Sequence, residues 1–210
     1  PLLDEAAAPV DITRATTAIF YSISNTQTGL RGVSFGDSLI KHVVETLTAE
    51  FPRLRTFATL SPIPGFRAWL GKHAGAMLDR LDDKRRSELG RAVGFEPPQA
   101  THFLGALDKA LELDAKSPVR QMLLECAAYY LGRELQEGKP ADPVARFHLG
   151  NGARVERLNW AGDPSSKGQK QSYGLMVNYL YDLKRIDKHR SLLAQGKVPV
   201  SGDIDSLCRD

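Results

Sequence analysis

Two side chains in this sequence stand where acid–base or anion-stabilising chemistry could be done. Ser61 opens the corner Ser61-Pro-Ile-Pro-Gly65. Pro62 biases that serine towards an extended backbone, and Pro64 stiffens the exit. A hydroxyl held in this way can donate to an anionic ligand, whereas the plainer reading is a Ser-Pro turn. His148 lies in Pro143-Val-Ala-Arg-Phe-His-Leu149, between two apolar residues. An imidazole has an unperturbed pKa of ~6.5 and is the natural proton donor near neutral pH. The plainer reading is a half-buried strand histidine that packs and hydrogen-bonds. Of the other histidines, His42 and His73 lie on charged helical stretches, His102 follows a double proline, and His189 falls within Asp187-Lys-His-Arg190.

A third feature is the loop Arg31-Gly-Val-Ser-Phe-Gly36, followed by Asp37. A glycine-bearing loop between a strand and a helix frees backbone N–H groups and adds the helix dipole, which together suit an anion. No Gly-Lys-Ser/Thr follows, so this is not a Walker loop, and the spacing of a dinucleotide fingerprint is also lacking. An ordinary glycine turn is the alternative.

Stepping these residues into place requires a definite set of elements. Thr17–Ser24, rich in β-branched and aromatic residues, predicts a buried strand. Ile40, Val43, Val44, Leu47 and Phe51 recur at helical spacing, with Ser34 or Asp37 as a cap and Pro52 as the stop. Leu54–Leu60 predicts a second strand that delivers Ser61. From Arg67 to Glu137 the pattern is charged and helical, broken at Glu96-Pro-Pro98 and Ser117-Pro118, which predicts three or four helices. Strands are expected at Pro143–Leu149 and Ala153–Trp160, joined as a hairpin by Gly150-Asn-Gly152. Asp163–Ser172 reads as a polar loop able to close over a ligand. Leu175, Met176, Tyr179, Leu180 and Leu183 fit a helix, although Tyr173–Tyr181 also allows a strand.

The chain has 210 residues, 42% of them apolar and 25% charged, as in an ordinary globular domain or a compact domain with an insertion. No apolar run approaches the ~20 residues of a spanning helix. A net charge of +3 spread along the chain does not argue for nucleic acid, but it suits a small anionic ligand. Cys126 and Cys208 form no metal or disulfide pattern, so a reducing compartment is the default. The chain begins at Pro1 and has no leader-like start, which predicts that the natural N-terminus lies upstream.

Taken in order, Ala18-Ile-Phe-Tyr-Ser-Ile-Ser24, Leu60-Ser-Pro-Ile-Pro-Gly-Phe66, Pro143-Val-Ala-Arg-Phe-His-Leu149 and Asn151-Gly-Ala153 with Asn159-Trp160 resemble the malonyl-CoA decarboxylase family. The resemblance runs from about Thr17 to Tyr181 and is weakest from Lys72 to Glu137. It implies an α+β fold of the GNAT, or acyl-CoA N-acyltransferase-like, type: a mixed sheet with helices on both faces and a helical insertion at about 67–140. It further implies that the chain is the C-terminal part of that catalytic domain, entered at about the fourth strand, with an N-terminal helical domain absent. The fourth and fifth strands of such a fold splay apart to admit the pantetheine arm.

The same resemblance implies that Ser61 and His148 carry the chemistry, with Tyr181 as a further active-site residue. It places the acyl-CoA loop on Arg31, Gly32, Val33, Ser34, Phe35, Gly36 and Asp37. The loop follows the GNAT pyrophosphate pattern at Arg31 and Gly36, while Ser34 stands where the pattern has its first glycine and where some family members carry glutamate. The implied reaction turns malonyl-CoA into acetyl-CoA and carbon dioxide. The thioester carbonyl accepts the electron pair as an enolate, so the substrate is its own electron sink and no metal or organic cofactor is expected. Ser61 is expected to orient the malonyl carboxylate or stabilise the enolate, and His148 to protonate C2. A homo-oligomer, the missing N-terminal segment as a partner, no nucleic acid and no membrane complete the expectation. So does a cytoplasmic location if the source is bacterial, or a mitochondrial or peroxisomal one otherwise. Two other classes compete: a GNAT N-acetyltransferase, which needs an amine acceptor, and a non-enzymatic acyl-CoA-binding sensor.

Overall fold

The computed structural model describes residues 11–21 and 36–208, with side chains from residue 40 onward in the second span. Strand β1 (Thr17–Phe20), helix α1 (Gly36–Glu50) and strand β2 (Thr56–Thr59) form a parallel crossover unit. Parallel strands need such a connection, because a tight turn can join only antiparallel ones. Ile40 and Val44 are buried on one face of α1, and the helix ends before Pro52, as the periodicity predicts. A short strand β3 (Ser61–Pro62) continues the line of β2 after Leu60.

The chain then enters a helical block of α2 (Phe66–Asp79), α3 (Asp83–Val93), α4 (Ala100–Ala106) and α5 (Pro118–Gly132), with a 3₁₀ stretch after α4. Two of its three breaks fall at the proline sites named above, and the third, between α2 and α3, is set by the N-cap Asp82. A small ribbon, β4 (Leu135–Gln136) with β5 (Lys139–Pro140), leads to helix α6 (Pro143–Gly150) and strand β6 (Arg154–Asn159). Helix α7 (Ser166–Ser172), strand β7 (Met176–Leu180), helix α8 (Ile186–Ala194) and helix α9 (Gly202–Leu207) complete the order.

The main sheet is mixed. β7 runs antiparallel to β2 and β3 on one side and to β6 on the other, and β1 lies outermost, parallel to β2. A hydrophobic core joins the sheet to the helical block: Val177 and Tyr179 of β7, Phe66 and Leu70 of α2, and Leu123 and Ala127 of α5 have no exposed surface.

Several expectations change. Pro143–Leu149 is helix rather than strand. Asp142 is its N-cap, accepting the N–H groups of Val144 and Ala145 at 2.9 and 3.0 Å, and Pro143 occupies the first turn, where its missing N–H costs nothing. Gly150-Asn-Gly152 is consequently not a hairpin but the end of α6. The N–H of Gly152 bonds to Leu149 O and that of Ala153 to His148 O, a Schellman cap that requires Gly152 at φ +84°. Glycine was needed there, but to stop a helix. Asp163–Ser172 contains α7, capped by Ser165, rather than an open loop. Tyr173–Tyr181 takes the strand alternative, because Met176–Leu180 is sandwiched between β2/β3 and β6. The described part of the first strand is half-exposed rather than buried, with Ile19 and Tyr21 open, as suits an outermost strand.

Candidate active site

Ser61 reaches its place because β2 is in the interior of the sheet and the chain continues straight through Leu60 into β3, where Ser61 pairs with Val177. His148 sits in the last turn of α6, on the face that also buries Ala145 and Leu149. Both ends of that helix are tied, by Asp142 at its start and by the Schellman cap at its finish. His189 of α8 supports the cap by a 2.9 Å contact from its Nδ1 to Gly152 O.

The two meet. Ser61 Oγ lies 3.2 Å from His148 Nε2, and His148 Nδ1 lies 2.8 Å from the Tyr181 hydroxyl. Ser61 Oγ also donates to Thr59 Oγ1 at 2.8 Å. A continuous chain Thr59–Ser61–His148–Tyr181 results. The His148 ring stacks on Tyr179, with centroids 4.6 Å apart and planes 24° off parallel, and Phe147 meets it edge-on. Ser61, His148 and Tyr181 are 5%, 4% and 3% exposed, so their mutual bonds are little screened by water. Burial lowers the His148 pKa to about 4, and the resting imidazole is neutral. A neutral ring has one N–H and one lone pair, so one of its two hydroxyl partners must donate and the other accept.

The supporting groups are as specific. The Asp142 carboxylate has no exposed surface; besides capping α6 it accepts the Gly65 N–H at 3.4 Å and the Tyr130 hydroxyl. It thereby ties the Ser-Pro-Ile-Pro-Gly corner to the helix that carries His148. Burial raises its pKa, opposed by those same hydrogen bonds. A Cβ at Gly65 would overlap the Tyr130 hydroxyl, so a larger residue there must push that hydroxyl away from Asp142.

Of the residues expected from sequence, Ser61, His148 and Tyr181 are brought together. Arg31, Gly32, Val33, Ser34 and Phe35 lie outside the described residues, and Gly36 and Asp37 form the first turn of α1, of whose side chains nothing further is described. The expected opening between the first two strands is not found along their described length. β1 and β2 pair from Thr17↔Thr56 to Phe20↔Thr59, and Leu60 N–H still reaches Phe20 O at 2.9 Å. Ser61 therefore lies just past the end of this parallel pair rather than inside a cleft between the strands. A concavity of about 860 Å³ lies beside the sheet, lined in part by Thr17, Ile19, Leu54, Leu180 and Tyr181. It meets the trio at Tyr181.

Sequence reasoning missed Thr59, Asp142 and Tyr179. Asp142-Pro143 is an N-cap followed by an N1 proline, a signal that identifies the helix. Thr59 stands two residues before Ser61, hence on the same side of an extended chain.

Such a fold and site define a mixed α/β protein organised around a buried serine–histidine–tyrosine chain. The sequence matches, over residues 1–210, the family model of the malonyl-CoA decarboxylase C-terminal domain. It is 39% identical over 203 residues to mitochondrial malonyl-CoA decarboxylase of Mus musculus, covering 92% of this chain and 41% of that protein. Solved structures of malonyl-CoA decarboxylase from Cupriavidus metallidurans (50% identity, TM-score 0.81, 91% of this chain and 48% of that one) and from Agrobacterium vitis (42% identity, TM-score 0.80, 100% and 49%) share its fold. The chain belongs to the malonyl-CoA decarboxylase family, and it spans less than half the length of these relatives.

Proposed function

We propose that this chain supplies the catalytic part of an enzyme that decarboxylates malonyl-CoA to acetyl-CoA and carbon dioxide. The observation that carries the reading is the buried Ser61–His148–Tyr181 chain within a protein of this family. The C2–carboxylate bond breaks, its electrons pass into the thioester as an enolate, and C2 takes one proton. Ser61 offers a hydroxyl to the anion, first as carboxylate and then as enolate. His148 delivers the proton to C2. A malonyl carboxylate entering this low-dielectric site favours the imidazolium, so the substrate itself raises the histidine pKa from its resting value near 4. Tyr181, bonded to Nδ1, holds the ring and can restore its proton.

The acyl-CoA loop at Arg31–Asp37 is part of this proposal, as is a reaction without added metal or organic cofactor. So are the GNAT-like domain reading, with residues 1–210 as its C-terminal part and a helical insertion at about 67–140, and assembly as a homo-oligomer with the preceding segment of the same protein. The C-terminal family match and the block α2–α5 between β3 and α6 support the domain reading. No helix among the described residues is long and apolar enough to cross a membrane. A cytoplasmic site is proposed for a bacterial source, and an organelle for a source like that of the mitochondrial relatives.

The test is incubation of the full-length protein with malonyl-CoA and no acceptor. Stoichiometric acetyl-CoA supports the proposal; binding without turnover, or turnover only after an amine is added, overturns it.

A further inference from the structure

The antiparallel ladder between β2/β3 and β7 has a break beside Ser61. Its register makes Phe57/Tyr181, Thr59/Tyr179 and Ser61/Val177 successive hydrogen-bonding positions. Tyr181 N–H obeys it, donating to Phe57 O at 2.8 Å. Tyr179 N–H does not: it donates to the Thr59 hydroxyl at 3.2 Å, while Thr59 O accepts the side-chain amide of Asn178 at 2.6 Å. Asn178 is held in turn by Asn159, whose amide donates to its oxygen at 2.9 Å. The Thr59 hydroxyl, 1% exposed, has thus replaced a main-chain acceptor, and its second contact is Ser61 Oγ.

We propose that Thr59 is a positioning residue that sets the direction of the hydrogen bonds through Ser61 and His148. In the resting site the Ser61 O–H donates to the Thr59 oxygen that also takes the Tyr179 N–H, so a Ser61 lone pair faces the histidine until a substrate anion draws the hydroxyl to itself. His148 then carries its hydrogen on Nε2, towards Ser61, and its Nδ1 accepts from the Tyr181 hydroxyl. That places a proton on the ring nitrogen that adjoins the serine, where the decarboxylation proposed above needs a donor. This inference deepens that reading and rests on it for the catalytic consequence, though not for the tautomer.

The test uses the full-length protein with ¹⁵N-labelled histidine. The parent should show His148 as the Nε2–H tautomer. Thr59→Val keeps the shape but frees the Ser61 hydroxyl, and should move the ring towards Nδ1–H and lower kcat by about 10- to 100-fold, the scale of a misaligned reacting group, with KM within about twofold. Thr59→Ser should restore both the tautomer and the rate. An Nδ1–H ring in the parent would overturn the proposal whatever the fate of the variants. So would an unchanged His148 spectrum in Thr59→Val, or a Thr59→Ser protein as impaired as Thr59→Val. A parent with the expected tautomer but no acetyl-CoA production would remove the decarboxylase reading and leave the tautomer assignment standing.

Discussion

Ser61 and His148 are 87 residues apart in sequence, yet Oγ and Nε2 lie 3.2 Å from each other in the interior. The serine arrives on a strand and the histidine on the last turn of a helix, so neither position follows from the other. They come face to face where the His148 ring of α6 stacks on Tyr179 of β7, the strand that also pairs with β3.

Replacing either member should remove chemistry rather than folding. Ser61→Ala and His148→Asn are expected to lower turnover by roughly 10²–10⁴-fold, the range for acid–base groups. Affinity for a non-decarboxylating malonyl-CoA analogue should change much less. Near-normal turnover accompanied by a lowered melting temperature would show these to be packing residues.

Tyr181→Phe removes the partner of His148 Nδ1 but keeps the ring that meets it edge-on. Turnover should fall by about tenfold, consistent with a lost buried hydrogen bond of ~1.4 kcal/mol. Single-turnover measurement of carbon dioxide release would register the loss directly; an unaltered rate would remove Tyr181 from the relay.

The depressed histidine pKa has a consequence for stability against pH. The folded protein accepts the His148 proton only near pH 4, whereas the unfolded chain accepts it near the ordinary 6.5. Between those values the unfolded state binds more protons. Stability from this group should therefore be complete above pH ~6.5, decline as the pH falls to ~4, and change no further below, by a total on the order of 3 kcal/mol. Urea titrations from pH 7 to 4 should show a shallower decline for His148→Asn than for the parent; parallel curves would assign the acid sensitivity to other groups.

Gly152 combines φ +84° with a close approach to Ile186, whose Cγ2 would lie 2.6 Å from an added Cβ. Gly152→Ala should cost about 1–3 kcal/mol in stability. Because the carbonyl of His148 accepts one of the cap hydrogen bonds, turnover of the folded fraction should fall as well. Thermal melts and kcat together check this, and a variant with unaltered kcat would uncouple the cap from the site.

The sequence made some parts of this molecule readable and not others, for identifiable reasons. Helix α1 and the helical block were legible because their apolar residues recur with the helical period and prolines mark two of the three breaks in the block. Helix α6 was misread because eight residues hold barely two turns, too few for Ala145, His148 and Leu149 to declare a period against the strand-like run around Phe147. β7 was ambiguous because it is covered on both flanks and buries Val177, Asn178 and Tyr179 in succession, erasing the alternation that marks a half-exposed strand. Ser61 and His148 could be picked out by residue type and resemblance. Thr59 could not, since its role arises from a ladder hydrogen bond that fails to form, and that exists only once β2 and β7 are paired.

The segment between Ser61 and His148 contains α2, α3, α4 and α5 entire. Bringing the pair together closes a loop through the whole helical block, and the entropy of that closure must be met before the contact returns any stabilisation. The Ser61–His148 geometry is thus a non-local product of the fold. Loosening of the block would separate serine from histidine while the sheet remained paired, so under mild denaturant activity should vanish ahead of the β-sheet signal.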